Sequence, residues 1–135
     1  MKNAVLFLML IAGFTACQSR GGATQTATAD PDVVYVYNFH GKQRCLTCVT
    51  VGEVAKKTIE TEYAGNAKVR FVELDSSEKA YEALAKKYEV AWNALIIAKG
   101  DNSIEITKQA FATAVNNPQT LENLIKEEVE KRLKN

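Results

Sequence analysis

From Val33 onward the apolar residues alternate between short continuous runs and repeats of three to four residues, a pattern that predicts strands alternating with helices. Val33 to Phe39 (VVYVYNF) is β-branched and aromatic with hardly a polar break, as in a strand covered on both faces. After a loop at His40 to Arg44, Val51, Val54, Ala55, Ile59 and Tyr63 recur at helical spacing with Glu53, Lys56, Lys57 and Glu60 between them, and Gly65-Asn66 ends this first helix. Lys68 to Leu74 (KVRFVEL) alternates as a second strand. Asp75 and Glu78 then form a capping-box pattern ahead of a second helix, whose core stripe is Tyr81, Leu84, Ala85 and Tyr88.

Ala94 to Ala98 (ALIIA) is a short buried strand, Gly100-Asp101-Asn102 has turn chemistry, and Ile104 to Thr107 is expected to return as its antiparallel partner. Asn117 as N-cap and Pro118 at the first helical position open a last helix, with Leu121, Leu124, Ile125, Val129 and Leu133 on one face and its Lys and Glu residues solvated. Tyr35 and Trp92, beside the buried strands, are expected in the core. The order is β-α-β-α-β-β-α, an α/β domain in three layers with a mixed central sheet. Right-handed crossovers put its first three strands parallel, with helices on both faces and a hairpin at one edge.

Ahead of Val33 the pattern is different. Met1-Lys2-Asn3 is a short positive start, and Ala4 to Phe14 (AVLFLMLIAGF) is apolar for 11 residues. A membrane-spanning helix needs roughly 20, so the run suits a signal peptide over residues 1–16. Ala16-Cys17 resembles the lipobox of bacterial lipoproteins, in which the Cys is lipidated and begins the mature chain; Phe14 stands where that family usually has Leu. The resemblance implies lipidation at Cys17 and a periplasmic-side place in the bacterial cell envelope, while the other reading is a plain signal peptide with Cys17 incidental. Residues 17–32, rich in Gly, Thr and Ala, read as a flexible tether, and residues 33–135 as the folded domain.

The chain has 135 residues, 47% of them hydrophobic, enough for one core and too few for a multidomain enzyme. Its 17 Lys and Arg oppose 16 Asp and Glu, and removing residues 1–16 takes away only Lys2. A neutral mature chain has no charge-driven affinity for nucleic acid, and membrane contact is expected through the anchor only. The domain is expected to be monomeric.

The remaining two cysteines carry the chemistry. Cys45 and Cys48, spaced i, i+3 where the first helix begins, share one helix face and are close enough for a disulfide. The free N–H groups and positive end of the helix dipole favour the Cys45 thiolate, with Arg44 expected to add a neighbouring positive charge. Cys48, one turn inside, is the resolving thiol. A bridge across so short a loop gains little chain entropy, which argues against a purely structural disulfide. A second reading is a soft-metal module, Cu(I) or Zn(II), using Cys45, Cys48 and His40, the chain's single histidine.

Strand order, motif position and spacing resemble the thioredoxin-like superfamily over about Val33 to Asn135, and Phe39-His40-Gly41-x-x-Arg44-Cys45-x-x-Cys48 resembles a group of small bacterial proteins of that fold. The resemblance implies thiol-disulfide exchange with a protein dithiol or disulfide in the cell envelope, and no cofactor. His40 and Arg44 become supporting residues of the site. The chain departs from the family at three places. Ala94, after Asn93, stands where thioredoxins have a cis-proline that receives substrate. A non-proline cis bond costs roughly 2.5–4 kcal/mol, so this one is expected trans and the substrate groove reshaped. Asn38 replaces the buried Asp that moves protons, and Arg44 replaces the usual aromatic residue before the first Cys.

Overall fold

The computed structural model describes residues 29–135; the expected signal peptide over residues 1–16, the expected lipidation site Cys17 and residues 18–28 of the expected tether lie outside the described residues. The elements are β1 (Val34–His40), α1 (Leu46–Glu62), β2 (Val69–Asp75), a 3-10 turn (Lys79–Tyr81) leading into α2 (Glu82–Lys87), β3 (Ala94–Lys99), β4 (Asn102–Glu105), α3 (Thr107–Thr113) and α4 (Pro118–Leu133). The strands form one mixed sheet in the order β2-β1-β3-β4. No helix among the described residues is long and apolar enough to cross a membrane.

The continuous apolarity of β1 has the expected cause: both of its faces are covered. Val34 and Val36, with Leu95 and Ile97 of β3, pack under α1, α3 and α4. Tyr37 and Phe39, with Ala94, Ile96 and Ala98, pack under α2. Pleating sends successive side chains to opposite faces, so one hydrophobic run feeds two cores.

Strand direction departs from expectation. β1 and β2 are parallel, Val34 opposite Val69 and His40 opposite Asp75, but β3 is antiparallel to β1. The reason is length. The seven residues of β1 span about 23 Å at ~3.3 Å each. Carrying the chain back along that distance needs about 15 helical residues at ~1.5 Å each, whereas the 3-10 turn has three and α2 six. The connection therefore leaves and rejoins the sheet at one end: Ser76 Oγ lies 3.1 Å from the carbonyl oxygens of both His40 and Trp92, with its one hydroxyl proton shared between them.

Three local expectations are also corrected. Asp75 does not form a capping box; its Oδ1 accepts from the Ser77 N–H at 2.8 Å and the Ser77 hydroxyl at 2.6 Å, a tight turn that postpones the helix. The return strand is Asn102–Glu105 rather than Ile104–Thr107, because the chain turns into α3 at Thr107. Its buried stripe is Ile106, Ala110 and Ala114, too small a set of apolar groups to announce a helix. Trp92 lies outside the core, 77% exposed in the bend before β3.

The last helix is not solvated on all its charged positions. Glu128 and Arg132 are buried, Arg132 Nη1 donating to Glu128 Oε2 at 2.8 Å and Nε to the Asn102 carbonyl at 3.2 Å, which ties α4 to β4. Lys131 also donates to Glu128 at 2.7 Å. Hydrogen bonds from Lys131, and secondarily from Arg132, hold the Glu128 carboxyl below its ordinary range against the opposing effect of burial. Such a carboxyl contributes stability that is present above the unfolded carboxylate range and lost as pH falls through the folded value. Glu128→Gln is expected to unfold more easily than wild type near neutral pH and to converge with it in acid. Equal gaps at both pH values in urea titrations would show that packing alone matters there.

α2 ends in a left-handed residue that is not glycine. Glu89 has φ 55°, with its N–H donating to the Lys86 carbonyl at 3.2 Å and the Val90 N–H to the Ala85 carbonyl at 2.8 Å. This double bond is a Schellman ending, which normally takes Gly because a side chain at positive φ costs about 1–2 kcal/mol. Glu89→Gly is expected to raise the unfolding free energy by about 1 kcal/mol, with no change in secondary structure by circular dichroism.

Candidate functional site

Parallel pairing brings the ends of β1 and β2 to the same edge of the sheet, and the loop after His40 runs there into α1. Cys45 is the N-cap of α1, extended at φ −76° and ψ 165°, and its Sγ accepts the Cys48 N–H at 3.3 Å. The first turn of α1 contains no acidic residue, so nothing offsets its free N–H groups. Both cysteines are free thiols, Cys45 exposed and Cys48 buried. Hydrogen bonds from the Cys48 side chain and then its backbone N–H lower the Cys45 thiol from its ordinary value. Burial, and next the side-chain bond to Cys45, push Cys48 up. The pair thus divides into an accessible sulfur that ionises first and a shielded one that keeps its proton.

The Arg44 guanidinium is bonded to β2. Its Nη2 lies 2.7 Å from Glu73 Oε1 on β2 and packs against Gly52 of α1. The causes that lower the Cys45 value are led by the hydrogen bonds from Cys48. His40 likewise faces away from a metal role: Nδ1 donates to the Gly41 carbonyl at 3.0 Å and Nε2 lies 3.7 Å from Glu73. Among the described residues no three His, Cys, Asp or Glu side chains gather as a metal site, so the trio of Cys45, Cys48 and His40 named in the alternative metal reading is not brought together.

Asn38 is buried on the face of β1 toward α1, and its Nδ2 has no hydrogen-bond partner; neither does Arg44 Nε. An unpaired buried donor costs about 1–3 kcal/mol. Both groups crowd Gly52, where a Cβ would stand 2.6 Å from Asn38 Nδ2 and 3.0 Å from Arg44 Nη2.

The loop before β3 is fastened to the same edge. Asn93 Oδ1 accepts from the Gly41 N–H at 3.3 Å, and Ala94, buried at the start of β3, pairs with Phe39. The bond before Ala94 is trans, as expected, there being no cis peptide among the described residues. Two large apolar side chains are left in solvent here, Leu46 beside Cys45 at 74% exposure and Trp92 at 77%. A larger groove of about 1030 Å³ runs along β2 and is lined by neither cysteine. Glu73, Gly52, Ser76 and Asn93 escaped the sequence reading because each acts through a partner on another element.

No family model matches the chain, and no curated protein matches it. A solved structure described as "Structure of a malarial protein" superposes with a TM-score of 0.49 at 22% identity, covering 72% of this chain and 98% of that one. A similarity at that level assigns neither family nor activity.

The hydrogen bonds around Cys45 give a measurable asymmetry. In the reduced protein Cys45 is expected to alkylate at least about tenfold faster than Cys48 at neutral pH, since the thiolate is the nucleophile and burial shields the second sulfur. Cys48→Ala removes the side-chain donor and is expected to slow Cys45 several-fold, read by mass spectrometry of iodoacetamide time courses.

Proposed function

We propose that the chain is an exported thiol-disulfide oxidoreductase of the thioredoxin-like superfamily, held at the bacterial cell envelope by a lipid on Cys17. The observation that carries the reading is the Cys45–Cys48 pair itself: an exposed N-cap sulfur with a lowered thiol value, one turn ahead of a buried partner with a raised one. The superfamily assignment is supported by a dithiol between a central strand and the helix that follows, and by the strand order β2-β1-β3-β4 with a single parallel pair.

In the reducing direction the Cys45 thiolate attacks one sulfur of a partner disulfide. The partner's S–S bond breaks, a Cys45–partner disulfide forms, and one partner thiolate leaves. Cys48 then loses its proton and attacks the Cys45 sulfur, forming the Cys45–Cys48 disulfide and releasing the second partner thiol. Two electrons pass to the partner; oxidation runs the same steps backwards. Leu46, next to Cys45 in the chain, and Trp92, ahead of β3, expose apolar side chains that suit a protein partner rather than a small thiol.

In glutathione buffers the full mature chain is expected to form one reversible intramolecular disulfide, and Cys48→Ser to trap a partner through Cys45. A potential below roughly −250 mV marks a reductant, one near roughly −120 mV an oxidant. Absence of any titratable disulfide would sink the proposal. Trp92→Ser is expected to weaken exchange with the trapped partner while leaving the glutathione equilibrium unchanged.

A further inference from the structure

We propose that Glu73, outside the cysteine motif, is the positioning residue that sets Cys45, by holding the Arg44 guanidinium in the notch at Gly52. The inference rests on the dithiol reading above. Arg44 immediately precedes the N-cap, so anchoring its far end fixes the backbone from which Cys45 departs.

Four observations converge. The ion pair is short, Arg44 Nη2 to Glu73 Oε1 at 2.7 Å, and joins the loop ahead of α1 to β2. His40, at the other end of that loop, also faces Glu73, at 3.7 Å, so one carboxylate meets both ends of the connection. The guanidinium lies where α1 has no side chain: a Cβ on Gly52 would stand 3.0 Å from Arg44 Nη2. Finally, Arg44 Nε is buried without a partner, which a freely chosen conformation would avoid by turning to water. Beside the pair lies a cavity of about 220 Å³ lined by Arg44, Val49, Gly52, Glu53, Lys56 and Glu73.

The Cys45 Sγ accepts from the Cys48 N–H at 3.3 Å only while the N-cap keeps its extended conformation. Releasing Arg44 loosens that residue, weakens the donors on the sulfur and favours the disulfide relative to the dithiol. A charge effect of Arg44 on Cys45 predicts the opposite: freed from Glu73, the guanidinium would stabilise the thiolate more.

The test uses the full mature chain and two readouts, the Cys45 alkylation rate at pH 7 and the thiol-disulfide equilibrium against glutathione. Glu73→Gln and Gly52→Ala are each expected to slow alkylation about tenfold and to move the equilibrium about tenfold toward the disulfide. Glu53→Gln, which changes a charge lining the same cavity, is expected to alter neither. Faster alkylation in Glu73→Gln, or rates within twofold of wild type in both variants, overturns the positioning role. Should Gly52→Ala fail to fold, the exchange Arg44→Glu with Glu73→Arg decides: recovery toward the wild-type rate supports the role, and a rate no better than Glu73→Gln overturns it. A wild-type chain that forms no disulfide defeats the oxidoreductase reading instead, while the alkylation rates still judge Glu73.

Discussion

How closely α1 lies on β1 is set at Gly52, where a single methyl group would meet Asn38 at 2.6 Å and Arg44 at 3.0 Å. Everything at the dithiol end follows from that approach. The bare backbone of α1 lets a buried amide and a guanidinium occupy the space between helix and sheet, one turn along from Cys48. With a side chain there, the helix would have to lift away or the two polar groups would have to leave. Two unpaired buried donors are tolerated at this contact, and polar groups are otherwise rare in the core. Such exceptions collect where a fold serves something besides its own stability.

The sheet supplies the second requirement. Parallel pairing of β1 and β2 places Asn38 opposite Glu73, and His40 opposite Asp75, so the end of the motif strand is met by carboxylates from its neighbour. The short route through α2 then returns the chain at the same edge, where Ser76 bridges His40 and Trp92 and Asn93 holds Gly41. Three separate segments thus converge on the loop that carries Cys45. At the far side, the buried Glu128–Arg132 pair performs a comparable task in fastening α4 to β4.

Much of this was legible in the residues. Val33 to Phe39 announced a strand buried on both faces because β-branched and aromatic side chains leave little alternative. The closeness of Cys45 and Cys48 was legible too, since two thiols three residues apart at a helix start come near each other whatever surrounds them. What stayed hidden were features whose signal is weak or shared. The stripe of α3 is largely alanine, and Asp75-Ser-Ser-Glu78 fits a capping box as well as the turn it forms. Arg44 read as a charge beside a thiol, yet its side chain is long enough to reach a strand elsewhere.

The sequence by itself determined the α/β alternation, the covered central strand and the placing of two cysteines at the start of the first helix, because these depend on neighbours within a few residues of one another. Only the tertiary structure decided that β3 runs against β1, that Trp92 is in solvent, that His40 and Arg44 turn to Glu73 rather than to the thiols, and that Glu128 and Arg132 are buried. Each of those is settled by how far a connection reaches or by which strand lies alongside, and such distances between remote residues are properties of the folded chain rather than of any local pattern.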